Sequence, residues 1–384
     1  MRPLSSSWPP WPWLFLPVRV HCVLHHDMLM NHADSFVYTF AVPIFPYIVE
    51  SRLGLDSSYT QRMSFTFISQ SALVSVIFSP LTGYLADKYS TKRIWLRTAS
   101  LVALVGTVMV VSAVTPAVLF TGRFVQALAS TVAWVVGYAM IADNVKLEHL
   151  GKTYGLVSTV VAVSTSAGPM LSGVLFDLGG YWLAWSSAFM VIVLNIVLWL
   201  LMLERSKESE GKELSTANGS GDFETAPFLE DESPRTKERT GLRFYSTLFR
   251  HRRFVCGVCA YLVLAILLSS FDTTLPLHVR DAFGWGSMQS GLLFVALQGP
   301  AIPLSVPVGW LKDRFGTRRP TFIGLLLLTP LLWFFGVPGN DRFPFANEGD
   351  RGRILYCVTM ALIGLTVLLL NGAGTLEATS MSLI

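Results

Sequence analysis

Apolar runs of about twenty residues recur along almost the whole chain, and they restrict its fold more than any other feature. About twenty residues rising 1.5 Å each cross the roughly 30 Å hydrocarbon layer of a bilayer. Such runs occupy residues 33–49, 63–85, 94–114, 117–142, 154–176, 181–203, 254–279, 288–311, 320–338 and 354–376. Lipid offers no partner to a bare backbone amide, so only helices or closed barrels span it, and these runs are too long for barrel strands. The expected fold is all-α: a polytopic membrane protein of about ten transmembrane helices. Composition agrees, with 14% of residues charged against about 25% in an average soluble domain.

The remaining charge is sorted by loop. Lys and Arg collect in 83–97, 146–152, 204–253 and 312–319, whereas the alternate loops hold only Arg52, Arg62, Arg280, Arg342, Arg351 and Arg353. This positive-inside bias predicts a cytoplasmic N-terminus and central loop. The expected location is an integral, multi-pass position in the plasma or vacuolar membrane, as a monomer with the lipid bilayer around it. A net charge of +4 spread over these loops leaves no basic face for a nucleic acid.

The runs divide into six and four. Residues 1–32 read as an irregular N-terminal segment, because WPPWPWLFLP is too proline-rich for a helix interior and lacks the marks of a signal peptide. Residues 33–203 are expected to form an N-terminal six-helix bundle. Residues 204–253 carry both charge signs with Ser, Thr, Gly and Pro, and are expected to be a disordered cytoplasmic linker. Residues 254–384 are expected to form an incomplete C-terminal bundle of four helices. His21, His25, His26, Asp27 and His32 cluster near the first run without metal-ligand spacing, so neither metal nor cofactor is expected. Cys256 and Cys259 have a redox spacing but open an apolar helix; they read as buried small hydrophobes, and Cys22 and Cys357 add no disulfide framework. Phosphate-cradling loops and Ser/His/Asp constellations are also lacking in the sequence, which argues against an enzyme.

Two charged turns repeat each other. GYLADKYSTKR, residues 83–93, lies between the second and third runs, and GWLKDRFGTRR, residues 309–319, holds the matching place in the second half. Gly83, Asp87, Lys88, Lys92 and Arg93 correspond to Gly309, Asp313, Arg314, Arg318 and Arg319. Self-similarity in this register points to duplicated halves, as many transporters have.

This pattern resembles the signature loop of the major facilitator superfamily. STSAGPMLSGVL (164–175) resembles the Gly-Pro signature of its proton-coupled antiporters, although Ser164 and Ser172 stand where glycine is usual. DSFVYTFAVPIFP (34–46) resembles the vesicular amine transporter and twelve-span drug:proton antiporter branch. The likeness covers most of residues 34–377. It implies two pseudo-symmetric helical bundles, twelve spans where this chain shows ten, and a gating role for the charged loops, whose acid meets the start of an eleventh span. The second-half spans are therefore expected to be incomplete.

Ionisable groups inside spans are expensive and are the first candidates for function. Asp34 lies nine residues before Pro43, and its helical face continues through Tyr38. The resemblance implies that this acid faces a central site and meets a cationic substrate or a proton. Arg123 shares a face with Gln126, Ser130 and Trp134 at spacings of three and four. A buried guanidinium needs an acceptor, and Asp34 is the expected one; the resemblance links this arginine to proton coupling. Asp272, followed by Pro276, echoes Asp34 and Pro43 in the second half. Asn371 and Glu377 are further polar candidates in the last run. Gly168, Pro169 and Gly173 in the fifth run, and Gly299 and Pro300 in the eighth, are expected to bend helices or let them approach.

These readings combine into a proton-coupled secondary transporter. Its expected substrate is a cationic or amphipathic small molecule, exported or taken into a vacuole by alternating access. A facilitator for a neutral solute and an incomplete, non-transporting membrane protein are the alternatives.

Overall fold

The computed structural model describes residues 32–89, 92–144, 147–217, 250, 252–316, 318–338, 343 and 350–370. Asn371, Glu377, Cys22 and the histidines before His32 lie outside them. Regular structure among the described residues is helical: α1 (32–40), α2 (Thr60–Lys88), α3 (Lys92–Val111), α4 (Pro116–Asn144), α5 (Leu147–Ala217), α6 (Arg252–Phe283), α7 (Ser287–Gln298), α8 (Ala301–Phe315), α9 (Arg318–Phe335) and α10 (Arg351–Leu370). Six stretches are long and apolar enough to cross a membrane: Ser57–Ala86, Ile94–Val111, Pro116–Ile141, Leu156–Leu198, Val255–Phe283 and Arg351–Leu370.

Two of the other runs are broken for identifiable reasons. In the first, Pro43 and Pro46 cannot donate to the carbonyls of Thr39 and Val42. Those carbonyls instead accept from Val42 and Phe45 at 3.1 and 3.4 Å, and α1 gives way to a helical turn at Phe45–Tyr47 and a π-turn at Ile48–Arg52. The eighth run is divided at Gly299-Pro300 into α7 and α8.

The longest helix is a hairpin. Gly179 (φ −149°, ψ 15°) and Gly180 (φ 75°, ψ −166°) leave helical geometry inside α5. Thr165 and Asn195 flank this break and line one cavity, whereas about thirty residues of straight helix would set them roughly 45 Å apart. The chain therefore reverses at the glycine pair. Its second arm carries on to Ala217, inside the polar segment 204–253.

The duplicated turns match at their helix boundaries. α3 starts at Lys92 and α9 at Arg318, the two positions that the repeat aligns. Most of each turn is helix: Gly83, Asp87 and Lys88 belong to the end of α2, and Gly309, Asp313 and Arg314 to the end of α8.

The main core joins the two halves. Phe36, Phe40 and Ile48 pack in one cluster with Trp185 of α5, Phe271 and Leu275 of α6 and Tyr356 of α10. It reaches the end of the bundle marked by Glu50, Val111 and Gly180, where Tyr181 Oη donates to the Val111 carbonyl at 2.9 Å. A smaller cluster of Ala86, Leu96, Ala99, Ala133, Val136 and Met140 stays inside the first half. Large apolar side chains such as Val76, Leu178, Met190 and Phe322 are exposed around the sides, as a lipid-facing perimeter requires. Cys256 and Cys259 are exposed on that perimeter, which corrects their reading as buried residues; with few helices flanking the start of α6, nothing covers that face among the described residues.

Candidate functional site

A cavity of about 390 Å³ opens among α1 to α5, and among the described residues Tyr261 of α6 is the single second-half residue lining it. Space exists there because facing positions are small: Ala72, Ala99, Ala103, Ala127 and Ala133 form much of the wall. Asp34, Tyr38, Arg123 and Gln126 all line it, together with Ser130 and Trp134.

Asp34 is held by donors from α4. Ser130 Oγ donates to its Oδ2 at 2.7 Å and Trp134 Nε1 donates to the same atom at 2.8 Å. Arg123 is 3% exposed, so it does not reach out to the interface. Its Nε donates to the Phe67 carbonyl at 3.4 Å and its Nη1 to Gln126 Oε1 at 3.3 Å. The guanidinium carbon lies 4.8 Å from the Tyr38 ring centre and 4.4 Å from that of Phe67, close enough for cation–π attraction. Gln126 is fixed in turn by donating Nε2 to Thr107 Oγ1 at 2.8 Å.

The expected Asp34–Arg123 pair is therefore not formed. Ser130 and Trp134 stand about two and three helical turns beyond Arg123, roughly 10 and 16 Å along α4. Asp34 meets that helix at their level. Spacing placed all four residues on one face but said nothing of the height at which α1 crosses it. Asp272 does not line the cavity, although it lies within electrostatic reach of Arg123 and Tyr38. Asn195, Ser35 and Ser71 line the cavity without having been singled out; their only signal was a polar residue within an apolar run.

The halves meet where α5 crosses α7, without room for side chains. A Cβ added to Gly173 would stand 2.2 Å from the Ser287 carbonyl oxygen, and one added to Gly291 would stand 2.3 Å from that of Pro169. The two contacts are reciprocal, as for antiparallel helices in register. Thr165 Oγ1 adds a hydrogen bond of 2.7 Å to Gln298 Oε1 across the same crossing. Gly168 faces α1, with its missing Cβ 2.6 Å from the Phe36 carbonyl oxygen. His32 pairs with Ser164 beside it.

A second bridge between the halves lies at the Glu50 end. Arg280 Nη1 donates to both carboxylate oxygens of Glu50, at 2.9 and 3.1 Å, and Thr60 Oγ1 donates to Glu50 Oε1 at 2.9 Å. Sequence reading passed over this pair. Its signal was a charge just past each of two run ends, on the side otherwise poor in charge.

The charged turns sit at the opposite end. Lys92 Nζ reaches Asp143 Oδ2 at 2.5 Å, tying α3 to the end of α4. Lys312 Nζ donates to the Leu368 carbonyl at 3.1 Å, tying α8 to α10. Lys88, Arg314, Arg318 and Arg319 are exposed. Gly83 does not mark a tight helix contact, because an added Cβ there meets only Val135 Cγ1, at an ordinary 3.9 Å.

Residues 28–383 match the Major Facilitator Superfamily. An MFS-type transporter, ppzB, of Metarhizium majus is 26% identical over 374 residues, which cover 90% of this chain and 81% of that protein. The multi-drug resistance efflux pump PmrA of Streptococcus pneumoniae is 31% identical over 308 residues, 75% of this chain and 66% of its own. Among solved structures, the xylose transporter XylE from E. coli superposes with a TM-score of 0.66 at 12% identity, covering 96% of this chain and 86% of that one.

Proposed function

The chain belongs to the Major Facilitator Superfamily, and on that premise we propose that it exchanges protons for a cationic or amphipathic small molecule. The carrying observation is Asp34 in the cavity wall. Both of its donors occupy Oδ2, and Oδ1 is left to face a proton or a cation. One carboxylate cannot hold both, and that competition couples the two fluxes. Trp134, Tyr38 and Tyr261 supply aromatic walls suited to an apolar cation. The likeness to a drug efflux pump supports the same class of substrate.

Alternating access needs a gate at each end. On the positive-inside reading the Glu50 end faces outward, where the shared core and the Glu50–Arg280 bridge close the path. The antiparallel α5–α7 crossing then serves as the axis about which the halves rock. The charged turns, which that reading puts on the cytoplasmic side, carry the bases for the opposite closure.

The outer bridge gives a test of gating. Both partners are about one-third exposed, so the pair is worth about 1 kcal/mol, or roughly fivefold in a two-state population. Glu50→Gln and Arg280→Gln are each expected to slow exchange by about that factor, and the charge-swapped Glu50→Arg/Arg280→Glu protein to recover it. Flux of ethidium in proteoliposomes reads the effect. Single variants at the native rate, or a swap no better than either, would contradict the gate.

A further inference from the structure

The cavity carries more unused polarity than a bare cation needs. Four polar atoms on its lining residues make no hydrogen bond to the described residues: Arg123 Nη2, Asn195 Oδ1, Ser35 Oγ and Ser71 Oγ. Each belongs to a side chain more than nine-tenths buried. Buried polar groups are nearly always paired, and a cluster of unpaired ones around a single space asks for a function. The set is also mixed in character. Arg123 Nη2 only donates, Asn195 Oδ1 only accepts, and the hydroxyls do either.

Arg123 is the informative member. A receptor for a simple cation gains nothing from a fixed positive charge in its wall. Here the guanidinium is anchored on two sides by Phe67 and Gln126 and braced by the rings of Tyr38 and Phe67, so its charge is fixed in the cavity wall while Nη2, covered in this state, has no partner among the described residues. Asp34 lies one turn before Tyr38 on α1, with Oδ1 still open to a donor. The wall thus has a negative pole at Asp34 and a positive pole at Arg123, on either side of Tyr38. At about 390 Å³ the space is at the small end of the roughly 300–1,000 Å³ found for ligand pockets.

Resting on the transport reading above, we propose that the ligand of this cavity is amphoteric. It carries a protonated amine for Asp34 and a carboxylate, or a comparable anionic acceptor, for Arg123, on a small apolar or aromatic body that packs between Tyr38, Trp134 and Tyr261. Asn195 and the two serines take its remaining polar atoms. A molecule with the amine alone leaves Arg123 Nη2 buried and unsatisfied; one with the acid alone is repelled by Asp34.

Phenylalanine, phenethylamine and 3-phenylpropionate share one ring and differ in which of these charges they bear. Each is titrated against bound ethidium on the purified full chain in nanodiscs. Since a hydrogen bond to a charged group corresponds to roughly tenfold or more in affinity, phenylalanine is expected to displace ethidium at about one-tenth the concentration of the other two. Arg123→Gln is expected to erase its advantage over phenethylamine; should that variant not fold, the comparison on the native protein stands by itself. Equal potency of phenylalanine and phenethylamine, or no displacement by any of the three, overturns the amphoteric ligand while ethidium flux keeps the transport reading. Ethidium that neither binds nor moves overturns both.

Discussion

Asp34→Asn is expected to abolish proton-driven flux while the chain still folds and reaches the membrane. The amide keeps the shape of the side chain, and its oxygen still accepts from Ser130 Oγ and Trp134 Nε1, so the local packing of α1 on α4 survives. What it loses is the charge. A charge-assisted hydrogen bond is roughly twice as strong as a neutral one, and its loss lowers affinity for an organic cation by about tenfold or more. The coupled flux falls further, to background, because an amide cannot take up and release the proton that the exchange requires. Ethidium binding and flux on the same preparation separate the two losses. A variant that still concentrates ethidium against its gradient when an acid-inside pH step is imposed would remove Asp34 from the mechanism.

Gly291→Ala is expected to have the second large effect, and for a reason unrelated to chemistry. Its new Cβ would sit 2.3 Å from the Pro169 carbonyl oxygen, a backbone atom that cannot swing away as a side chain can. α5 and α7 must separate, which weakens the principal contact between the halves. Overpacking of a tight core costs about 1–3 kcal/mol, so a lowered thermal midpoint should accompany a strong loss of flux. Gly173→Ala, facing Ser287 at 2.2 Å, should behave alike. Gly83→Ala is the control: its Cβ has 3.9 Å to the nearest atom, so stability and flux should both stay near native. If Gly291→Ala and Gly83→Ala melt and transport alike, the crossing is not the close-packed axis described here.

Hydropathy alone was enough to place the helices, because a bilayer permits so few solutions for an apolar run. Where prediction and structure part, a local residue explains it. Pro43 and Pro46 dismantle the first run as a regular helix, and Gly299-Pro300 divides the eighth. The charged turns read as loops from composition, yet their first halves continue the preceding helices, since Ala, Leu, Lys and Arg favour helix as readily as solvent. The Asp34–Arg123 pairing failed because residues on one face of α4 are alike in spacing arguments and differ in height. The partner is chosen by where another helix crosses, and that is a tertiary fact.

The cavity's position was the least legible feature. Two matching halves suggest a site shared equally between them, but small residues on α2, α3 and α4 open the space within the first bundle, and Asp272 stays outside its wall. Alanines in apolar runs look like ordinary packing in sequence; only their convergence makes a void. The glycine pairs of α5 and α7 are similar. A motif drew attention to Gly173, whereas Gly291 stood in no motif and gained its meaning from the carbonyl opposite.

The central claim is that one carboxylate alternates between a proton and a solute, and it is tested most directly by following protons. With a pH-sensitive dye trapped inside proteoliposomes of the purified chain, ethidium added outside should raise the internal pH as it enters. A protonophore should cancel the rise, and Asp34→Asn should show none. Ethidium that equilibrates with no change in internal pH would contradict the account and mark the protein as an uncoupled facilitator.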